Sequence, residues 1–419
     1  MFFALKIGEK RKEELRMNKH IHTKKFFLTA FTLIFASLWL LSACSSGTST
    51  DASKESNSND GETIKIGAIF PLTGGSAYQG KSFKQAIQLA EEEINSKGGI
   101  NGKKLEIIFE DDKGIPAEGV NAAQKLITQD NVLAIIGNFN SSVTLAVRAV
   151  TEREKVVQIT PGSTADNITE RGHPYMFRNL MPNSFQAPEL AKFATKKLGL
   201  KNVAIIAENT DYGRTGAQQY ERAAKKLGGK ILAIEYYNQG DKDFYAQLTK
   251  LKNMNPDAIF ISGLITEGAQ ILQQARDLGI KTQWLGMGGF TNDNFPKLAK
   301  GAAEGMIHVS YFEPGFYDYF PNSKSFVENY NKKYGSNPDM YAANGYEAVY
   351  ILAEAIKKAG GGDREKIREA MTKIKDLPGV CGPTTFDKNG QAKKGLLFVK
   401  IENGKRVPIG AAGIPGVNE

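Results

Sequence analysis

The stretch Thr63-Ile64-Lys65-Ile66-Gly67-Ala68-Ile69-Phe70-Pro71-Leu72-Thr73-Gly74-Gly75 decides the fold. Apolar residues dominate from Ile64 to Phe70 in a strand-like run, and Pro71 ends it. Lys81–Ser96 follows, with Phe83, Ala86, Ile87, Ala90 and Ile94 spaced to fall on one helix face until Gly98-Gly99 stops it. The pair then repeats. Strands are expected at Lys104–Phe109, Val132–Ile136 and Val156–Ile159, and helices at Pro116–Thr128 and Ser141–Glu152. This β-α rhythm implies a parallel sheet covered on both faces.

A second series starts after Pro182. Helices are expected at Ser184–Lys197, Tyr212–Leu227, Asp243–Asn253 and Glu267–Leu278. They alternate with strands at Val203–Ala207, Ile231–Tyr236, Ala258–Ser262, Thr282–Met287 and Gly305–Val309. Two such series predict two α/β lobes rather than one continuous sheet. Two further helical patterns, Asp339–Lys358 and Asp363–Lys373, precede short β-like pieces at Thr384–Phe386 and Gly395–Ile401.

The 419 residues are 41% hydrophobic and 24% charged, which excludes wholesale disorder, a collagen-like fibre and a multi-span membrane protein. The net charge of +9 is concentrated at one end. Residues 1–43 hold eight Lys/Arg against three Asp/Glu, leaving 46 basic and 42 acidic residues for the rest. Those are interspersed without a basic block, so no nucleic-acid partner is expected.

Lys24-Lys25 precedes an apolar run from Phe26 to Leu41, shorter than the roughly 20 residues of a membrane span. Charge, apolar run and then small residues make residues 1–43 a secretory signal segment. Its end, Leu41-Ser42-Ala43-Cys44, resembles the lipobox of bacterial lipoproteins. That resemblance implies a lipid on Cys44, cleavage just before it and anchoring to the outer face of the cell membrane. Lys12-Glu13-Glu14 can be encoded by a purine-rich ribosome-binding sequence, so translation is expected to start at Met17. Residues 44–61 then read as a flexible tether, since Ser45–Gly61 holds no large apolar residue. A second weak tail is expected over 411–419. Only Cys44 and Cys381 exist, so with Cys44 lipidated no internal disulfide is possible. The 358 residues from Glu62 onwards must therefore be held by their core.

Open parallel sheets take ligands at the carboxyl ends of their strands. The segments there are Pro71–Gly80, Gly137–Ser142, Thr160–Thr164 and Glu208–Gly213, all small, hydroxyl-rich or aromatic. Backbone N–H groups at a helix start, backed by Ser and Thr hydroxyls, suit a carboxylate, and Ser141 and Ser142 sit where such a helix begins. The same residues also suit plain helix caps.

Taken in order, the chain resembles the substrate-binding proteins of branched-chain-amino-acid-type ABC transporters. The residues that carry this are Ile66-Gly67-Ala68, Pro71-Leu72-Thr73-Gly74, Glu92-Glu93-Ile94-Asn95 and Gly98-Gly99-Ile100-Asn101-Gly102-Lys103. Asp111-Asp112, Ile135-Ile136-Gly137, Thr160-Pro161, Asp211-Tyr212-Gly213 and Gly382-Pro383 complete the set, from about Ile64 to about Val399. The resemblance implies a type I periplasmic binding protein: two Rossmann-like α/β lobes joined by a three-crossing hinge, closing on a ligand in the cleft. It implies one lobe at 62–182 plus 312–386 and the other at 183–311 plus 387–410. It implies a carboxylate held by Ser141, backbone at Gly162 and the Thr164 hydroxyl, with Tyr212 closing from the second lobe. Tyr78, Gln79, Asn138, Ser142, Ser163, Leu264, Gly288 and Phe290 complete the expected ligand-binding set, and Phe139 is a further candidate wall. ABC permease subunits are the implied partners, with no cofactor.

Three departures stand out. The acid that receives an amino acid's ammonium belongs within Gly286-Met287-Gly288-Gly289, where none exists. A tyrosine expected near Leu264 is apolar, and Tyr78 lies one place before the matching Gln79. Glu208, Asp211, Glu267 and Asp293 are the acids near enough to substitute. Without one of them, an unpaired ammonium is costly to bury, which favours a carboxylate lacking the α-ammonium, an amide or an aromatic acid.

Enzymatic readings fit poorly. A dinucleotide site wants G-x-G-x-x-G, whereas Gly74-Gly75 and Gly80 have the wrong spacing. Beyond the leader only His173 and His308 remain, with no nucleophile-elbow or metal-ligand pattern. The alternative from another class is a sensor of the same fold, signalling to a membrane kinase or chemoreceptor.

Overall fold

A computed structural model describes residues 63–414 except 171, 316 and 318–320. The signal segment, Met17, Cys44, the tether and residues 415–419 lie outside the described residues. Strands β1 (Ile64–Phe70), β2 (Leu105–Asp111), β3 (Ala134–Gly137), β4 (Val157–Thr160) and β5 (Met176–Arg178) form one parallel sheet, ordered β2-β1-β3-β4-β5. Alternation along β1 sorts the core. Ile64, Ile66, Ala68 and Phe70 face the cluster built with helix α1 (Ala77–Ser96), including Phe83 and Ile87. Ile69 faces the opposite cluster, with Leu126 and Ile127 of α2 (Pro116–Thr128) and Val143 and Val147 of α3 (Ser141–Arg153). Each large apolar side chain so buried contributes roughly 1.5–3 kcal/mol.

The second sheet holds β6 (Asn202–Glu208), β7 (Lys230–Tyr237), β8 (Ala258–Ser262), β9 (Gln283–Gly286), β10 (Ile307–Ser310), β11 (Leu396–Glu402) and β12 (Lys405–Ala412). Its order is β12-β11-β10-β9-β8-β6-β7; the first five strands in sequence run parallel, and β11 and β12 are antiparallel additions. Helices α4 (Asn183–Lys196), α5 (Asp211–Lys226), α6 (Tyr245–Lys252), α7 (Ile265–Asp277) and the short α8 (Phe295–Leu298) accompany it. The chain then returns to the first lobe as α9 (Pro321–Tyr334), α10 (Met340–Ala359) and α11 (Arg364–Thr372), with α10 packed along α1. No described helix is long and apolar enough to cross a membrane.

The chain passes between the sheets three times, near 179–182, 311–315 and 392–395, and side chains tie the passages together. Tyr311 OH donates to Met181 O at 2.8 Å, and Gln391 Nε2 donates to Leu180 O at 2.7 Å. The third passage lies later than the expected 386/387 boundary. Asp387–Ala392 forms a turn that stays on β5, where the Ala392 N–H donates to Arg178 O at 2.9 Å.

Other expectations also shift. The tail predicted from 411 is instead structured to Ile414: Ala411 and Ala412 close β12 and, like Ile414, are buried. Pro408 and Gly410 hide this edge strand in the sequence. Strand β5, only three residues long, and the largely polar α9 escape periodicity altogether. Helix α1 starts at Ala77, so Tyr78, Gln79 and Gly80 belong to a helix rather than a loop. Gly80 permits this, because a Cβ there would sit 2.1 Å from the Pro71 carbonyl oxygen.

Candidate functional site

Between the carboxyl ends of the two sheets lies a cavity of about 250 Å³, room for one small metabolite. Its first-lobe wall is the start of α3. The N-cap residue Asn140 makes no side-chain cap bond, so the opening N–H groups of this helix have no capping side chain. Ser141 does not cap the helix either. Its Oγ accepts from the Ala165 N–H at 3.2 Å, which leaves the hydroxyl hydrogen to donate. The buried Thr164 hydroxyl has no partner among the described residues. Ser141, Ser142, Gly162 and Thr164 all line the cavity.

A buried framework holds this wall. Arg178, fully enclosed, donates to Ala165 O at 2.7 Å, Thr169 Oγ1 at 2.9 Å and Gln391 Oε1 at 2.6 Å. Burial draws the guanidinium down to about 10, so it stays charged at neutral pH. Ser163 Oγ donates to Phe139 O at 2.8 Å, and Asn138 Nδ2 donates to Asp112 Oδ2 at 2.9 Å. Desolvation pushes Asp112 up to about 6.

The second-lobe wall is different in kind. Glu208, the last residue of β6, and Tyr212, in the first turn of α5, line the cavity with Leu264, Gly288 and Gly289. Glu208 is 1% exposed, and its Oε2 has no partner among the described residues. Burial, with Glu267 adding repulsion, pushes its carboxyl up to about 8. Burial also raises the Tyr212 hydroxyl well above its usual value; it lies against the Gly289 backbone. That contact requires glycine, since a Cβ at Gly289 would come within 2.9 Å of the Tyr212 hydroxyl and 2.3 Å of Gly263 O.

The walls are drawn together. Ser142 Oγ donates to Asp211 Oδ2 at 2.7 Å, Tyr341 OH to Gly288 O at 3.1 Å and Thr266 Oγ1 to Gly75 O at 3.0 Å. This is a closed two-lobed cleft.

Comparison with known proteins agrees with that geometry. The family described as periplasmic binding protein matches residues 63–406. The chain belongs to this family. It is 31% identical over 332 residues to the "Leucine-, isoleucine-, valine-, threonine-, and alanine-binding protein" of Pseudomonas aeruginosa, covering 79% of this chain and 88% of the relative. The leucine-binding protein LivK of Thermotoga maritima superposes with a TM-score of 0.80 at 34% identity, over 84% of this chain and 99% of that one. The branched-chain amino acid transporter substrate-binding protein LivJ of Streptococcus pneumoniae, in complex with isoleucine, gives 0.78 at 33% identity, over 83% and 100%. These relatives are solute-binding proteins, and the family places the folded body outside the cytoplasm.

Within this periplasmic binding protein, the expected residues Ser141, Ser142, Gly162, Thr164, Tyr212, Leu264 and Gly288 reach the cavity, as does Phe139. Five expected ligand-binding residues do not. Asn138 and Ser163 are buried behind the first wall, spent on its framework. Phe290 is fully buried and packs on Phe295 at 5.0 Å in the second lobe's core. Gln79 is buried in the first turn of α1, and Tyr78 is 38% exposed; neither lines the cavity.

Of the four acids near the cleft, Glu208 alone reaches it. Asp211 accepts from Ser142, Glu267 Oε1 accepts from the Gly240 N–H at 3.0 Å, and Asp293 pairs with Arg406 at 2.9 Å. Tyr311, Met340 and Tyr341 also line the cavity. They come from the second passage and the start of α10, places that a search of strand ends does not cover. Gln186, from α4, accepts the Gly288 N–H at 3.3 Å.

Proposed function

We propose that this protein is the lipid-anchored solute-binding component of an ABC importer, delivering a small carboxylate-bearing solute of the amino-acid class to membrane permease subunits. One observation carries the reading. The uncapped start of α3, the Ser141 hydroxyl and the unpartnered Thr164 hydroxyl converge on an enclosed cavity that Tyr212 covers from the opposite lobe. Donors without acceptors at a helix start suit a carboxylate. The amino-acid-binding relatives support the same class. Lipidation at Cys44 supplies the anchor.

A thermal-shift screen of the purified protein against amino acids and small carboxylic acids tests the cleft. Specific solutes are expected to raise the melting temperature with concentration, by mass action. A flat response to every carboxylate would count against the proposal. For the anchor, Cys44→Ser is expected to abolish acyl labelling and release the protein from membranes, because a hydroxyl cannot take the thioether.

A further inference from the structure

The residue set of the cleft narrows the solute class further, provided that the cleft captures a carboxylate as proposed above. We infer that Glu208 receives an ammonium group of the bound solute, so that the cleft selects apolar α-amino acids over deaminated acids of the same shape. Three observations carry this. First, among the described residues Glu208 is the only Asp or Glu lining the cavity, and no Lys, Arg or His lines it. A purely anionic solute finds no base on this cavity wall, whereas a zwitterion brings the cation that keeps Glu208 ionised and so places one charge on each wall.

Second, Glu208 Oε2 is buried and unpartnered, on the wall opposite the donors of Ser141 and Thr164. Buried carboxylates without partners are rare in finished structures, and an ammonium is the group that satisfies one. Desolvation raises this carboxyl to about 8, so its ionised form is costly at neutral pH until a cation pairs with it. The charged and titratable groups around it are Glu267, Tyr212 and Tyr237, none of them a cation.

Third, the position where an acid was expected is filled by other means. A Cβ on Gly288 would lie 3.3 Å from Gln186 Oε1 and 3.4 Å from Met340 Cε. Gln186 is committed to the Gly288 N–H. No carboxylate stands on this part of the wall among the described residues, and the acid that faces the space is at the end of β6. Phe139, Leu180, Leu264 and Met340 line the same space and suit an apolar side chain.

The test is calorimetry on the purified protein with the common L-amino acids and, for each, the 2-oxo acid of the same side chain. An apolar amino acid is expected to bind about a hundredfold or more tightly than its 2-oxo twin. Glu208→Gln is expected to erase that preference by weakening the amino acid and not the twin. Ser141→Ala is expected to weaken both alike. If Glu208→Gln does not fold, Glu208→Asp keeps the charge and is expected to retain the preference. Twins that bind as well as their amino acids, or a preference that survives Glu208→Gln, would overturn the inference. Binding of 2-oxo acids without amino acids would overturn it while leaving carboxylate capture intact. Binding of neither would overturn both.

Discussion

The two walls of the cleft solve different problems. The first-lobe wall presents neutral donors, namely backbone N–H groups and two hydroxyls, and puts its permanent charge behind them in Arg178. The second-lobe wall presents a buried acid and a phenol. Donors at a helix start are positioned by the backbone itself, so that wall is ready before any solute arrives. A buried carboxyl with no partner is the opposite, because its charge becomes favourable only when a cation comes with the solute. In the proposed binding mode one wall is preorganised and the other is completed by its ligand.

The largest expected effect comes from breaking the preorganised wall at its source. Arg178→Met removes three buried hydrogen bonds, to Ala165, Thr169 and Gln391, and a hydrogen bond from a charged group is worth roughly 1.5–3 kcal/mol. Chemical denaturation is expected to show a loss of about 3–5 kcal/mol, with solute affinity falling as the 163–165 loop loosens. A loss below 1 kcal/mol would mean the framework is dispensable.

The next effect sharpens the charged wall. The inferred binding mode has Glu208 ionised, whereas burial raises its value to about 8. Protonation therefore competes with the ammonium, and affinity is expected to rise about tenfold per pH unit on approaching pH 8, then level off. Glu208→Gln is expected to flatten the profile. A wild-type affinity independent of pH between 6 and 8 would place the ammonium elsewhere.

Much of this division was legible in the sequence, though unevenly. The β-α rhythm exposed both sheets because fully buried parallel strands leave apolar runs between amphipathic helices. The antiparallel edge strand β12 did not show, since Pro408 and Gly410 break its pattern, and β5 is too short to carry one. At the site, Ser141 and Thr164 lie a few residues past strand ends, so local grammar brings both to the rim where the cavity lies. Glu208 also ends a strand, but its burial and its repulsion by Glu267, far along the chain, arise only in the folded protein. Arg178 reads as an ordinary residue beside Asn179; its role exists only once Gln391 returns from the third passage.

Smaller effects separate site from scaffold. Ser141→Ala removes a donor to a charged oxygen, a bond worth roughly 1.5–3 kcal/mol, so solute affinity is expected to fall about ten- to a hundredfold. Stability is expected to change by about 1 kcal/mol or less, as the Ala165 N–H loses one neutral acceptor. Lowered stability with unaltered affinity would make Ser141 a structural residue. Ser142→Ala removes the hydroxyl that donates to Asp211 Oδ2 and accepts from the Asp211 N–H across the closed lobes. A bond of about 0.5–1.5 kcal/mol predicts a loss of a few-fold in affinity, seen as faster solute release in stopped-flow measurements. An unchanged release rate would show that this bond does not hold the lobes shut.

The central claim is tested most directly by the crystal structure of the protein with its tightest-binding amino acid. The account predicts the carboxylate within about 3 Å of Ser141 Oγ and Thr164 Oγ1, and the ammonium within about 3 Å of a Glu208 oxygen. A solute lying outside the cleft, or reversed with its ammonium at the start of α3, would contradict it.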